Sequence, residues 1–152
     1  MAERRAPPLP ALSAEPLTLG ATQPRRALVV EAELATMRQC REILEKCGFV
    51  VDVVETGIEA VISARSEHFD LILVDLQLRD VPGREAIEWL RSNPALRATP
   101  IIVLTASPGD DADLKAFEPA AALRKPITLP ATRRAIDQLL DKPCPPSSGD
   151  QR

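Results

Sequence analysis

Short apolar runs alternate with amphipathic helical patterns through most of this 152-residue chain. Five runs have the length and β-branched content of strands, and each is followed by a segment with apolar residues at helical spacing. The middle run, "DLILVD" at 70–75, is apolar between its flanking acids, which is typical of a strand covered on both faces. This alternation predicts an α/β domain with a doubly wound, five-stranded parallel sheet and helices on both faces.

The pattern assigns a position to each strand and helix. Gly48 follows the first helix, where a residue in the left-handed conformation is expected. In the second helix Ile58, Val61 and Ile62 share one face, which is expected to be apolar and packed. The predicted strands are 27–30, 49–54, 70–75, 101–105 and 121–124, and the predicted helices are 34–47, 58–65, 84–92, 110–118 and 129–140.

Both ends of the chain are rich in proline, in contrast to the segment between them. Five of the fifteen prolines lie in the first 24 residues, and three lie between 143 and 146. This composition predicts a disordered N-terminal arm at 1–24, a folded domain at 25–142 and a disordered tail at 143–152. Prolines and an acid interrupt the apolar residues of the first arm, so no signal peptide is expected.

The composition excludes several classes of function. A net charge of −3, with 27% charged and 45% hydrophobic residues, offers no basis for a nucleic-acid or membrane partner. The single histidine argues against most histidine-based catalysis and most zinc sites. The three cysteines lack metal-ligand spacing and leave an odd thiol, which favours a reduced, cytoplasmic location.

Polar residues stand at the ends of four predicted strands. Glu31 follows the first strand and Asp75 ends the third. Thr105 ends the fourth strand and Lys125 follows the fifth. Because ligands of open parallel sheets bind at the carboxyl ends of the strands, these groups are expected to converge on one crevice. For Glu31, a solvated acid beside a helix N-terminus is an almost equally good interpretation.

A carboxylate, a hydroxyl, a lysine and a second acid can together support phosphoryl transfer to the carboxylate. Asp75 would be the nucleophile, and Lys125 and Thr105 would contact oxygens of the transferred group. A Mg²⁺ ion held by Glu31, Asp75 and the backbone carbonyl of Gln77 would neutralise the remaining charge. The sequence therefore predicts a carboxylate phosphorylation site with a magnesium ion.

Three motifs, in order, resemble the receiver domains of two-component response regulators. They are "DLILVDLQLRDVPG", "PIIVLTA" and "RKP", and the resemblance covers nearly all of the predicted folded domain. It implies the flavodoxin-like (βα)5 receiver fold, Mg²⁺ as cofactor, and a histidine kinase or histidine phosphotransfer protein as phosphodonor. The positions that it matches are the phosphoacceptor Asp75, the hydroxyl residue Thr105, the small residue Ala106, and Lys125 with the usual Pro126.

Three positions depart from that family's pattern. Receivers normally have two adjacent acids after the first strand, whereas this chain has Glu31-Ala32, which predicts weakened or absent Mg²⁺ binding unless Glu33 contributes. Ala122 replaces the aromatic residue that usually precedes the lysine by three positions, so the usual ring switch is missing. Glu118-Pro119 replaces a small, glycine-containing turn, which predicts a remodelled output face.

Two functions follow from this resemblance. The first is a stand-alone receiver that is phosphorylated on Asp75 and signals to an unidentified output protein by contact, because the predicted arms are too short for an output domain. The second is a phosphorylation-independent pseudo-receiver adaptor with a degenerate Mg²⁺ site, which Ala32 and Ala122 favour. Neither is an enzyme with a small-molecule substrate: phosphatases of the haloacid-dehalogenase type place a general acid where this chain has Gln77. The sequence leaves open whether the chain forms a homodimer.

Overall fold

The computed structural model describes residues 24–106 and 121–140. Among these residues every helix is too short or too polar to cross a lipid bilayer. The predicted helix at 110–118, the Glu118-Pro119 turn and nearly all of both predicted arms lie outside the described residues.

The strands are β1 (Arg25–Val30), β2 (Phe49–Val54), β3 (Leu71–Asp75), β4 (Ile101–Thr105) and β5 (Ala121–Arg124). The described helices are α1 (Leu34–Lys46), α2 (Gly57–Ser66), α3 (Gly83–Arg91) and α4 (Leu129–Leu139), with a 3-10 turn at Pro94–Leu96.

All five strands pair in parallel in one sheet, in the order β2-β1-β3-β4-β5. This is the flavodoxin-like doubly wound order, so the predicted fold class is confirmed. The direction of winding reverses between β1 and β3, where Val30 is paired with Val74. The residues that follow these two strands therefore lie side by side at the carboxyl edge of the sheet, where ligands of this architecture bind.

The sheet separates two hydrophobic cores. Alternate strand residues on one face join a cluster with α1 and α4, and those on the other face join a cluster with α2 and α3. In β3, Leu71 and Leu73 belong to the first cluster, whereas Ile72 and Val74 belong to the second. The central strand is thus buried on both faces, as the apolar run predicted, and it forms a well-packed support for the residue at its end.

The ends of the elements agree with the predicted ends to within about two residues. β1 begins at Arg25 because Arg25 and Arg26 already pair with Phe49 and Val50 of β2. Gly48 has a φ of 90°, which confirms the left-handed residue expected after α1. That conformation favours glycine because it has no Cβ to clash with the backbone.

The apolar face predicted for α2 is packed only at Val61, which is half-buried against the core cluster of α2 and α3. Ile58 and Ile62 are 52% and 57% exposed, while the buried positions of the helix are Gly57, Ala60 and Ala64. These small residues allow the helix axis to come close to its neighbours. Because α2 packs mainly through its small side chains, Ile58 and Ile62 face outward.

Candidate functional site

The carboxyl edge of the sheet contains a pocket of about 430 Å³. It collects residues from the ends of β1, β3, β4 and β5, which is the convergence that the strand-end rule predicts. Two other pockets of similar volume contain none of the predicted site residues. The residues that line the pocket are Glu31, Ala32, Glu33, Asp75, Gln77, Leu78, Arg79, Ala106 and Lys125.

Asp75 is the last residue of β3, and its side chain is only 5% exposed. Its Oδ1 accepts a hydrogen bond from the backbone N–H of Gln77 at 3.0 Å. Its Oδ2 accepts a hydrogen bond from Lys125 Nζ at 2.7 Å. Because both oxygens are held, the carboxylate has a defined orientation beside the pocket, as a nucleophilic carboxylate requires.

Lys125 follows β5 and reaches two carboxyl groups. Its backbone N–H donates to the carbonyl of Thr105 at 2.7 Å, which ties it to the end of β4. Its Nζ lies 2.7 Å from Asp75 Oδ2 and 3.1 Å from Glu31 Oε1. Burial alone disfavours the charged ammonium, but the hydrogen bonds and charges of Asp75 and Glu31 outweigh it and raise the pKa of Lys125. The lysine is therefore a fixed positive charge at neutral pH.

Glu31 is only 1% exposed, so it is not the solvated acid that the sequence also allowed. Its Oε2 accepts a hydrogen bond from the backbone N–H of Glu33 at 3.0 Å. Its Oε1 faces the ammonium of Lys125, whose Nζ lies 3.1 Å away. Burial, followed by the hydrogen-bond contact with Asp75, raises the pKa of Glu31 from 4.5 to about 7. A buried carboxyl oxygen of this kind is suited to a proton or a cation.

The acidic groups fit a magnesium ion, although with few protein ligands. Mg²⁺ commonly takes one or two carboxylates together with waters and phosphate oxygens, and Glu31 and Asp75 supply two carboxylates in one pocket with Gln77. A metal ion that took Glu31 Oε1 as a ligand would share this oxygen with the ammonium of Lys125. Ala32 adds no carboxylate, and the side chain of Glu33 is 64% exposed. In the described part of the chain, no three acidic, histidine or cysteine side chains form a group able to hold a metal.

The remaining predicted positions lie around this pocket. Thr105 is 4% exposed at the end of β4, next to Ala106, but only Ala106 lines the pocket. Ala122 is exposed on β5, where it pairs with Val103 of β4. The side chain of Ala122 is a single methyl group, so the aromatic ring usual at this position in receivers is missing from the surface. The peptide bond between Lys125 and Pro126 is cis.

The loop between β3 and α3 contributes residues that the sequence analysis did not assign to the site. Leu78 and Arg79 line the pocket. Asp80 faces away from it, and its two oxygens accept hydrogen bonds from the backbone N–H groups of Gly57 and Ile58 at 2.9 and 3.1 Å. Leu78 and Arg79 could have been included among the candidate site residues because they follow closely after the strand-end carboxylate Asp75. Which of these side chains turn towards the pocket depends on contacts with α2.

Gly83 brings the start of α3 against the end of β3. Its N–H donates to the carbonyl of Leu76 at 2.8 Å. A Cβ placed on Gly83 would lie 2.3 Å from the carbonyl oxygen of Asp75 and 2.5 Å from Leu76 Cα, so only glycine fits this approach. The glycine thus sets the backbone position of the strand end that carries Asp75.

Comparison with known proteins agrees with this fold and these motifs. The polar-differentiation response regulator DivK of Brucella ovis is 34% identical over 118 residues, which cover 76% of this chain and 96% of DivK. The receiver domain of a sensor histidine kinase from Pseudomonas aeruginosa PAO1, solved with a magnesium ion coordinated in its active-site cleft, is 28% identical. It has a TM-score of 0.72 and covers 77% of this chain and 98% of its own. The chemotaxis response regulator CheY4 of Vibrio cholerae has the same fold at 24% identity, with a TM-score of 0.71 and coverage of 78% and 100%.

The family model described as the response regulator receiver domain matches residues 27–144, which is most of the chain. Receiver domains are signalling proteins of two-component systems, and the recognition from three ordered motifs is confirmed by this match and by the DivK relatives. The sheet order and the structural neighbours agree with the fold of that family. This chain belongs to the response regulator receiver domain family.

Proposed function

We propose that this chain accepts a phosphoryl group on Asp75 from a histidine kinase or a histidine phosphotransfer protein. The observation that carries the proposal is the buried contact between Asp75 Oδ2 and Lys125 Nζ at 2.7 Å, beside an open pocket. Buried charges are costly to maintain, and strongly coupled charged groups in a cleft are characteristic of functional sites. The nucleophile and a neutralising cation are thus already in contact.

The proposed transfer forms a covalent aspartyl phosphate. A carboxylate oxygen of Asp75 bonds to phosphorus while the phosphorus–nitrogen bond of a phosphohistidine breaks, and the electron pair of that bond leaves on the histidine ring. Lys125 would then contact one phosphoryl oxygen, and Thr105 would donate a hydrogen bond to another. Bound Mg²⁺, held by Glu31, Asp75 and the carbonyl of Gln77, would neutralise charge on the phosphoryl oxygens.

The proposal extends to the organisation of the chain and to its partners. We propose a receiver domain at 25–142, close to the match at 27–144. The signal would pass to an output protein by direct contact, in the cytoplasm, and no small-molecule substrate would be involved. The chain would act as a monomer or as a homodimer. The relationship to a response regulator that matches along 96% of its own length supports a receiver acting through contact.

A second candidate function is a phosphorylation-independent adaptor. Ala32 removes a metal ligand, which weakens phosphorylation itself. The exposed Ala122 removes the usual aromatic ring, which weakens the change that would pass from the phosphorylated site to the output surface. The ion pairs of Lys125 with Glu31 and Asp75 would then serve to hold the carboxyl edge of the sheet in one arrangement. Such an adaptor would bind its partner equally well with Asp75 replaced.

Intact-mass spectrometry after incubation with a small-molecule phosphodonor tests the two candidates. We expect a Mg²⁺-stimulated mass gain of one phosphoryl group in the wild-type chain, and no gain in Asp75→Asn. The variant Ala32→Asp restores the adjacent acid pair and should increase the yield at low Mg²⁺ concentration. A gain seen only in Ala32→Asp would favour the adaptor, because it would show that the native site has lost its metal.

A further inference from the structure

A second cationic side chain lies at the candidate phosphorylation site. Arg79 is exposed, follows Asp75 by four positions and lines the same pocket as Asp75 and Lys125. Arginine is charged at any physiological pH and has five N–H donors in a planar fork. The pocket thus offers two cations, one buried and one exposed, to a group attached to Asp75.

The backbone around Arg79 is fixed on both sides. Before it, the N–H of Gln77 donates to Asp75 Oδ1, and Gln77 also forms an isolated antiparallel bridge with Pro82. After it, Asp80 accepts hydrogen bonds from two backbone N–H groups at the start of α2. The loop at 77–82 is therefore anchored to β3 and to α2. Arg79 is presented at the rim of the pocket by a braced loop and needs only side-chain rotation to reach inward.

The charge balance of the pocket creates a need for such a residue. A phosphoryl group would bring close to two negative charges next to the buried carboxyl of Glu31. Ala32 supplies no carboxylate for Mg²⁺, so less metal charge is available to offset the phosphoryl oxygens. A guanidinium can meet phosphate oxygens with two parallel N–H donors, which a lysine cannot do.

We propose that Arg79 binds the phosphoryl group carried by Asp75 and supplies part of the charge neutralisation that Mg²⁺ supplies in sites with two adjacent acids. This inference rests on the proposed phosphorylation of Asp75. It assigns Arg79 as a catalytic residue, because its guanidinium contacts the transferred group. It also predicts that the decrease in phosphorylation rate on losing Arg79 depends on how tightly the site binds Mg²⁺.

The first test measures phosphorylation of the full chain by intact mass across a Mg²⁺ titration that begins in chelator. Arg79→Gln should lower the initial rate at limiting Mg²⁺ by roughly tenfold, the value of one charge-assisted hydrogen bond, and should raise the Mg²⁺ concentration for half-maximal rate. Arg79→Lys should retain part of the rate. Arg97→Gln is the matched control, because it removes the same charge from an exposed arginine before β4, outside the pocket.

A repair variant separates a contact with the phosphoryl group from a structural effect. In the Ala32→Asp background, where the acid pair is restored, Arg79→Gln should change the rate at limiting Mg²⁺ by less than about twofold, since the metal now supplies the charge. A loss of the same size in both backgrounds, or a rate and Mg²⁺ dependence unchanged in Arg79→Gln while Asp75 is phosphorylated, overturns the proposal.

Failure of the proposed function has a different signature. If neither the wild-type chain nor Ala32→Asp gains a phosphoryl group, the phosphorylation proposal fails, and inorganic phosphate then serves as the probe for Arg79. Titration followed by amide NMR should show phosphate shifting the signals of Gln77 and Ala106 in the wild-type chain, with roughly tenfold weaker binding in Arg79→Gln. Equal binding in both proteins, or no binding at the pocket by the wild-type chain, overturns the assignment of Arg79.

Discussion

Lys125 Nζ lies 2.7 Å from Asp75 Oδ2, although the two residues are 50 positions apart in the chain. The same ammonium lies 3.1 Å from Glu31 Oε1, so one cation serves two buried carboxyl groups. The network joins the ends of β1, β3 and β5 at one edge of the sheet. Removing the ammonium of Lys125 would leave two acids facing each other in a low-dielectric environment.

Replacing Lys125 by methionine should destabilise the protein by about 3 kcal/mol at pH 8, because breaking a buried ion pair leaves carboxyl charge uncompensated. The loss should be smaller at pH 5, where Glu31 with its raised pKa is protonated. Urea denaturation at the two pH values measures both quantities. Lys46→Met, at the exposed C-terminal end of α1, is the control and should cost about 0.5 kcal/mol at either pH. Equal losses for the two variants would contradict the proposed network.

The raised pKa of Glu31 should give the metal-free protein a characteristic pH dependence. Its folded pKa of about 7 lies above the ordinary value of 4.5, so the folded state binds more protons than the unfolded state between those pH values. The contribution of Glu31 to stability is therefore full below about pH 4.5 and is lost as pH rises through about 7, on the order of 3 kcal/mol. Denaturation in chelator at intervals from pH 4.5 to 8 should show this slope.

The matched variant for that slope is Glu31→Gln, which keeps the shape of the side chain and does not titrate. Its unfolding free energy should vary less between pH 4.5 and 7 than that of the wild-type chain. Lys125 does not confuse the comparison, because its pKa is raised and its own contribution is lost only in strongly alkaline solution. Parallel pH profiles for the two proteins would show that Glu31 titrates normally.

Gly83→Ala should destabilise the protein by about 3 kcal/mol, because the added Cβ would meet backbone atoms of Asp75 and Leu76 at 2.3 and 2.5 Å. Gly57→Ala is the comparison, since its Cβ would meet mainly the side chain of Val81, at 2.7 Å, which can move. Thermal or urea denaturation ranks the two variants. An equal or smaller loss for Gly83→Ala would mean that the end of β3 can shift without cost.

Asp80→Ala should remove the side-chain acceptors of the Gly57 and Ile58 N–H groups, while Thr56 still caps α2 through the N–H of Glu59, and should cost about 1 kcal/mol, the typical value of a helix-capping contact. Burial opposes ionisation, but hydrogen bonds from Gly57 and Ile58 outweigh it and lower the pKa of Asp80. Its contribution should therefore be present above pH 3.8 and be lost as pH falls through its lowered pKa. Amide hydrogen exchange of Gly57 and Ile58 should accelerate in the variant, whereas exchange in β3 should follow only the change in global stability.

Two kinds of sequence information were sufficient to predict the fold and the meeting of Asp75 with Lys125. The unbroken apolar run at 71–74 can only be satisfied by burial on both faces, and the structure buries every residue of β3. Parallel strands place their carboxyl ends at one edge, so Asp75 and Lys125 could be expected to meet without knowledge of any distance. Both inferences depend on local pattern and on a general rule of topology.

Other features were not decided by local pattern. In α2, periodicity predicted that Ile58 and Ile62 would be buried, but the helix packs through Gly57, Ala60 and Ala64. Close approach to α3 and to the sheet selects the small face, and only the distances between elements reveal that requirement. The position of Arg79 at the rim of the pocket has the same origin, because contacts of the neighbouring Asp80 with α2 orient the loop.

The α/β class, the parallel sheet, and the carboxylate and lysine at two strand ends could all be predicted from the amino-acid sequence. These follow from residue type and spacing, which act through burial and backbone geometry along a single segment. The burial of Glu31 beside Lys125, and the position of Arg79 at the border of the same pocket, follow only from how the strands and loops are assembled in three dimensions. The degree of desolvation and the charge around each group depend on segments far apart in the chain, and these two quantities set its pKa and its chemistry.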